Sequence, residues 1–289
     1  MDAPSATRHG RRTPDGSWRA TRIGSLAAAA LAKARRGTVA GVHARALNVT
    51  LDDGAVVTLL PAGTPLHPFA LVVDRHATAF AAGVADLAGV AVQAGGRALQ
   101  LGHVQVEWGT AETVDLRLRI RPGAVPRAST QAVLAEVLPK AANEDPFEAP
   151  IAAALADFAH GGDPAGLLQL VGLGQGFTPA GDDVLVGVLA GLDLLGEASA
   201  AARTERVALA GTLRVSLASR TAQLAAQMLS AALEGQYPGP LLQVLDALGR
   251  GQVLEPAHPA LRALASMGQR SGQDTLRGLL AVISRHQAA

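Results

Sequence analysis

The chain changes its hydrophobic period once, near residue 122. Before that point apolar and polar residues tend to alternate, the two-residue period of half-buried strands. Residues 38–44 and 46–51 read this way, Asp52-Asp53-Gly54 supplies a hairpin turn, and residues 55–60 return as a third strand. Residues 69–73 form a short apolar run behind Pro68. After a turn at Gly95-Gly96 come two more expected strands, 98–101 and 103–108. Residues 114–120 alternate most clearly, with Val114, Leu116, Leu118 and Ile120 on one face and Asp115, Arg117 and Arg119 on the other. That pattern predicts a half-buried antiparallel strand. Short helices are expected over 26–32, which is amphipathic, and 78–87.

Beyond a hinge at Arg121-Pro122-Gly123 and Pro126, the period becomes that of helices. They are expected over 129–140, 147–160, 164–171, 178–195, 199–234 with a break near Ser219, 239–249, 258–268 and 272–285. Gly161-Gly162, Gly235, Gly249 and Gly251 stop helices, while Pro164, Pro238 and Pro259 open them. The expected class is therefore α+β. A flexible basic arm (1–22) leads to an N-terminal antiparallel β barrel or sandwich (23–122), and an all-helical C-terminal domain follows (123–289).

Composition narrows the function. Of 289 residues, 49% are apolar, enough for a substantial core, but only 3% are aromatic, which argues against base stacking on nucleic acid. The absence of cysteine excludes disulfides, thiolate metal sites and a Cys nucleophile. Residues 1–36 carry a net charge of +6 and the body about −5, so the body is no electrostatic partner for nucleic acid. No run reaches the roughly 18 apolar residues of a membrane helix, and residues 26–32 are too short and too closely followed by Lys33, Arg35 and Arg36 for a signal peptide. A cytoplasmic location is expected.

Chemistry concentrates in residues 172–183, Gly-Leu-Gly-Gln-Gly-Phe-Thr-Pro-Ala-Gly-Asp-Asp. Gly172, Gly174 and Gly176 allow positive φ and inward-pointing N–H groups just ahead of a helix start, an arrangement suited to phosphate or carboxylate. Thr178 is expected to cap that helix and Pro179 to occupy its first position. No Lys follows as in a Walker loop, and no strand leads in as in a dinucleotide fingerprint. Gly181 precedes Asp182 and Asp183, whose charge opposes an anion unless Mg²⁺ bridges the two; both are candidates for catalysis and for holding that ion. Adjacent helical residues diverge by about 100°, so one of the two aspartates is expected to face the site and the other to bond locally. Gly187 and Gly191 in the apolar helix that follows predict close approach of another helix.

A second segment, Arg270-Ser271-Gly272-Gln273-Asp274-Thr275, opens the last helix; it reads as a cap by Ser271 with Asp274 in the role of a capping box. The two segments are expected to share one pocket. Residues 161–202 contain no Lys or Arg, so the counter-charge for an anion must come from elsewhere; Arg270 is the first choice and Arg220 the second. Ser219-Arg220-Thr221 reads as a polar break between helices. The eight histidines lack zinc-site spacing, and no Gly-x-Ser-x-Gly elbow exists.

The run from Gly172 to Gly187 resembles the signature of the AllH family, once filed as a domain of unknown function, with Phe177 and Ala180 where the usual form has Leu and Ser. Ser271-Gly272 with Asp274 and Thr275 resembles its second motif, with Arg270 replacing a Ser. The resemblance covers residues 23–285. It implies a subunit of the oxamate carbamoyltransferase of anaerobic allantoin breakdown, working with other transferase subunits on small anionic substrates. Site residues would then be Gly172, Gly174, Gly176, Thr178, Gly181, Arg270, Ser271, Gly272, Asp274 and Thr275 for binding, and Asp182 and Asp183 for catalysis. Two rivals remain: a non-catalytic assembly subunit, and an Mg²⁺-dependent phosphate or nucleotide enzyme.

Overall fold

The computed structural model describes residues 16–119, 125–138 and 145–286. Residues 1–15 of the expected arm, the 121–123 hinge and the end of the helix expected over 129–140 lie outside them. Strand β1 (Ser17–Gly24) starts inside what the sequence suggested was an arm, and it closes the whole sheet. Helix α1 (Ser25–Lys33) follows, then β2 (Arg36–His43), β3 (Ala46–Leu51), β4 (Val56–Leu60), β5 (Ala70–Val73), α2 (Ala77–Val84), β6 (Ala91–Gly95), β7 (Ala98–Leu101), β8 (Val104–Glu107) and β9 (Glu112–Val114). The order β5-β4-β3-β2-β6-β7-β8-β1 returns to β5 through an antiparallel β1–β5 pairing, giving a barrel-like ring of eight strands. Strands β8 and β9 lie along one edge of β1 in succession, both parallel to it. The β4–β5 pairing is parallel too, so the expected antiparallel sheet is in fact mixed.

Local chemistry explains the hairpins. Gly54 takes φ +83° after Asp52-Asp53, and its N–H donates to Leu51 O at 3.0 Å. Gly96 and Arg97 both have positive φ between β6 and β7, the pattern of a two-residue primed turn that matches strand twist. Strand β6 was not anticipated, because its exposed positions are Ala91, Gln93 and Gly95 and only Val92 and Ala94 are buried. Helix α2 lies against β1, with Trp18 and Phe80 rings 5.6 Å apart in the barrel core.

The strand expected over 114–120 is corrected. Only its first residue belongs to β9; beyond it the chain leaves the sheet and pairs with the helical half. The N–H of Leu118 donates to Gly235 O (2.7 Å), and that of Tyr237 donates to Leu116 O (3.0 Å). The alternation is real, since Leu116 is buried with Leu60, Leu66, Ala70 and Val72, but it serves the seam between barrel and helices.

The helical half comprises α3 (Arg127–Val137), α4 (Glu148–Ala159), a 3-10 segment (Pro164–Leu170) where an α-helix was expected, α5 (Ala180–Gly196), α6 (Ala200–Arg220), α7 (Gln223–Leu233), α8 (Gly239–Gly249), α9 (Pro259–Ala265) and α10 (Ser271–Arg285). Helix α5 is the axis, with Val184 to Leu192 buried throughout. Gly187 and Gly278 let α10 lie directly on it. A Cβ on Gly187 would meet Thr275 O at 1.9 Å, and one on Gly278 would meet Val184 O at 2.0 Å. Asp193 ties this axis to its neighbours, accepting from Arg206 Nε at 2.6 Å and from the buried Tyr237 hydroxyl. At the seam, the Gln227 side chain accepts from Val56 N (2.7 Å) and donates to Val56 O (3.3 Å).

Candidate functional site

The glycine loop runs between the 3-10 segment and α5. Gly172, Gly174 and Gly176 have φ of +75°, +129° and +91°, so the sequence requires glycine at each. Gly172 also packs on the carbonyl of Arg220 and Gly174 on the nitrogen of Ala180, while Gly176 stands open. Helix α5 begins at Ala180 with Pro179 as its cap residue, and no side chain caps it, so the expected roles of Thr178 and Pro179 are corrected by one position. Among the described residues, the backbone N–H groups of Gly174, Gln175, Gly176, Phe177 and Thr178 donate to no protein acceptor.

Thr178 instead reaches across to α10, its Oγ1 lying 3.1 Å from Ser271 Oγ. The two motifs, 93 residues apart in sequence, therefore meet. Ser271 is the first helical residue and Arg270 the cap position, so the expected capping box does not form. The buried Asp274 sits one turn in and pairs with Arg277 at 3.3 Å. Gly272 packs on Leu264 O, Gly181 packs on Leu170 O, and Thr275 donates to Ser271 O at 2.8 Å; these three shape the helix starts.

The aspartates diverge. Asp182 Oδ1 accepts from Gly172 N at 3.0 Å, and Oδ2 accepts from the Thr221 hydroxyl. Asp182 thus latches the start of the loop to the break between α6 and α7. Burial raises its pKa against those two hydrogen bonds. Asp183 points toward Ser271 and Thr178. Its Oδ2 is buried without a hydrogen-bond partner among the described residues. Burial above all, then the neighbouring Asp274 and Asp182 carboxylates, push its pKa well above the usual carboxylate range, against the Ser271 and Thr178 hydroxyls. That shift is toward the neutral acid, which lessens the like charge an anion in the loop would meet.

Asp182 and Asp183 face different partners, Asp182 toward Gly172 and Thr221 and Asp183 toward Ser271 and Thr178. Among the described residues, no cluster of three or more His, Asp or Glu side chains is placed to hold a metal ion. Arg270 is committed elsewhere too: it pairs with Asp145 and, at 3.0 Å, with Glu148, which also binds Arg277 at 2.9 Å. It braces α4 against the start of α10, each terminal nitrogen of its guanidinium meeting a carboxylate. Asp274, in the same network, has its pKa raised to about 6, burial outweighing the attraction of Arg277 and Arg270.

Sequence reasoning missed the partners of Arg270, since nothing in Asp145 or Glu148 marks them as such. It also missed Thr221 as the partner of Asp182, and the contact between loop and barrel. Phe177 lies across β2, where Gly41 has no Cβ to obstruct its ring, and His43 meets that ring edge-on at 5.7 Å.

These two halves are also where comparison with known proteins divides the chain. The model of the AllH family N-terminal domain matches residues 19–113, the barrel, and that of the oxamate carbamoyltransferase subunit AllH matches residues 170–283, from the glycine loop through α10. The chain belongs to the AllH family. No curated protein and no solved structure matched it. The AllH match begins at Leu170, whose carbonyl packs on Gly181, and ends at Ile283 in the core, so it spans both motifs and the α5–α10 contact that joins them.

Proposed function

We propose that this AllH-family chain is a subunit of an oxamate-type carbamoyltransferase and binds a phosphorylated or carboxylated small substrate at the glycine loop. The observation that carries the reading is the run of five backbone N–H groups, Gly174 to Thr178, left without protein acceptors where the N-termini of α5 and α10 meet. Helix N-termini and free amides favour an oxyanion. Around them stand the hydroxyls of Thr178 and Ser271, which bond to each other and so leave one proton free for a ligand oxygen, and the carboxyl of Asp183, which burial shifts toward its protonated, donating form. Such a cradle would act by positioning the substrate and stabilising charge on a leaving phosphate, without a covalent nucleophile. Catalysis would fall to Asp183, and Asp182 would hold the loop in shape. Among the described residues no helix is long and apolar enough to cross a membrane, and we assign the chain to the cytoplasm with other transferase subunits as partners.

A purely structural subunit is favoured by two observations: Arg270 is paired with Asp145 and Glu148, and Phe177 docks the loop on the barrel. Calorimetric titration of oxamate and of carbamoyl phosphate separates the two. The binding reading requires saturable uptake of at least one, weakened about tenfold or more in a Thr178→Val, Ser271→Ala double variant. Uptake of neither leaves the structural subunit.

A further inference from the structure

The glycine loop lacks positive charge of its own, and Arg270 is held by Asp145 and Glu148. The missing wall comes from the barrel. Strands β2 and β3 are joined by the two-residue turn Ala44-Arg45, with His43 paired to Ala46 at its base. A bulge between Val39 and Gly41 shifts the register just before this tip, the kind of irregularity that re-aims a side chain. At Gly41 the ring of Phe177 occupies the space a Cβ would fill, its atoms 2.7 Å from that position. His43 then meets the same ring edge-on, at an interplanar angle of 86°. Its side chain is exposed, and neither ring nitrogen has a hydrogen-bond partner among the described residues. The hairpin tip thus lies against the side chain of Phe177, the residue between Gly176 and Thr178, and His43 brings two imidazole nitrogens with no hydrogen-bond partner among the described residues. Near Thr178 and Ser271, the Oδ2 of Asp183 is buried and has no hydrogen-bond partner among the described residues.

We propose that the β2–β3 hairpin tip is the second wall of the glycine-loop site and that His43 donates a hydrogen bond to the oxyanion bound there. The proposal rests on the anion-binding reading of the loop and adds to it a residue from the other half of the chain. Phe177 is the contact through which the hairpin tip and the loop meet. A phosphate and a carboxylate offer His43 the same acceptor oxygens, so both serve as probes.

The test is calorimetric titration of inorganic phosphate and of oxamate into the full-length chain, its His43→Ala variant and its His43→Gln variant, with thermal melting of all three. The surface position of His43 predicts unchanged melting temperatures. His43→Ala should weaken binding about 10- to 150-fold, the range for a lost hydrogen bond to a charged group, and His43→Gln, which keeps a donor, should restore most of it. Weakening for only one probe supports the proposal and names the oxyanion that sits there. Wild-type affinity in His43→Ala overturns the role of His43 and leaves the glycine-loop reading standing. Equal losses in both variants with a lowered melting temperature make His43 a packing residue and overturn the proposal. If the wild type binds neither probe, the glycine-loop reading falls and this inference falls with it.

Discussion

Adjacent carboxylates in one helical turn have opposite duties here, and the difference follows from the 100° between neighbouring helical positions. Asp182 turns toward Gly172 and Thr221, whereas Asp183 turns toward α10. Asp182→Ala removes both acceptors and leaves Gly172 N–H and the Thr221 hydroxyl without their partner, at a cost of about 1–3 kcal/mol. Denaturant unfolding should therefore show Asp182→Ala destabilised and Asp183→Asn nearly unaffected, while ligand affinity shows the reverse order. Equal, mild effects of both on stability and affinity would reduce the pair to complements of the helix dipole. Asp274 supplies a separate test through its raised pKa of about 6. A carboxyl whose folded pKa exceeds its unfolded value binds its proton more tightly when folded, so stability falls as pH rises from about 4 to about 6. The shift is worth up to about 3 kcal/mol. Unfolding measured at pH 4.5 and 7.5 should show that Asp274→Asn removes this loss; an unchanged pH slope would mean that Arg277 and Arg270 hold Asp274 ionised.

At the level of elements, α5 and α10 form the frame that brings the two motifs of the proposed site together. Gly187, Gly191 and Gly278 bring the helices together so closely that the contacts at Gly187 and Gly278 are with backbone, which cannot give way. Gly278→Ala should cost several kcal/mol through overpacking, whereas Gly211→Ala, on α6 with nothing within 4 Å, should gain up to about 1 kcal/mol from lost unfolded-chain entropy. Opposite shifts in melting temperature check this, and a mild effect at Gly278 would mean the helices can separate. The Gly187 and Gly191 spacing made this approach readable from sequence, as the apolar run made the burial of α5 readable. The 114–120 strand was misread for a definable reason. Alternation reports one buried face, and Leu116 does have one, but it does not say whether the partner is a sheet or a helix junction. Strand β1 was hidden for a similar reason, since Trp18, Ala20 and Ile23 are buried among arginines that made the segment look like an arm.

Across the whole molecule, the site is assembled from pieces that sequence distance separates. The meeting of the two motifs could be anticipated because both open helices, and helix starts gather unpaired donors. The ion-pair network around Arg270 and the barrel contact at Phe177 could not, because charge partners and ring contacts at long range leave no local period. The free N–H groups of Gly174 to Thr178 are the proposed ligand cradle. Backbone amide chemical shifts of the isotopically labelled full-length chain, followed while oxamate or carbamoyl phosphate is added, test this residue by residue. The account predicts saturable shifts centred on Gly174 to Thr178, extending to Ser271 and Asp183. Shifts that saturate elsewhere while these five amides stay fixed, or no shifts at all, would contradict it.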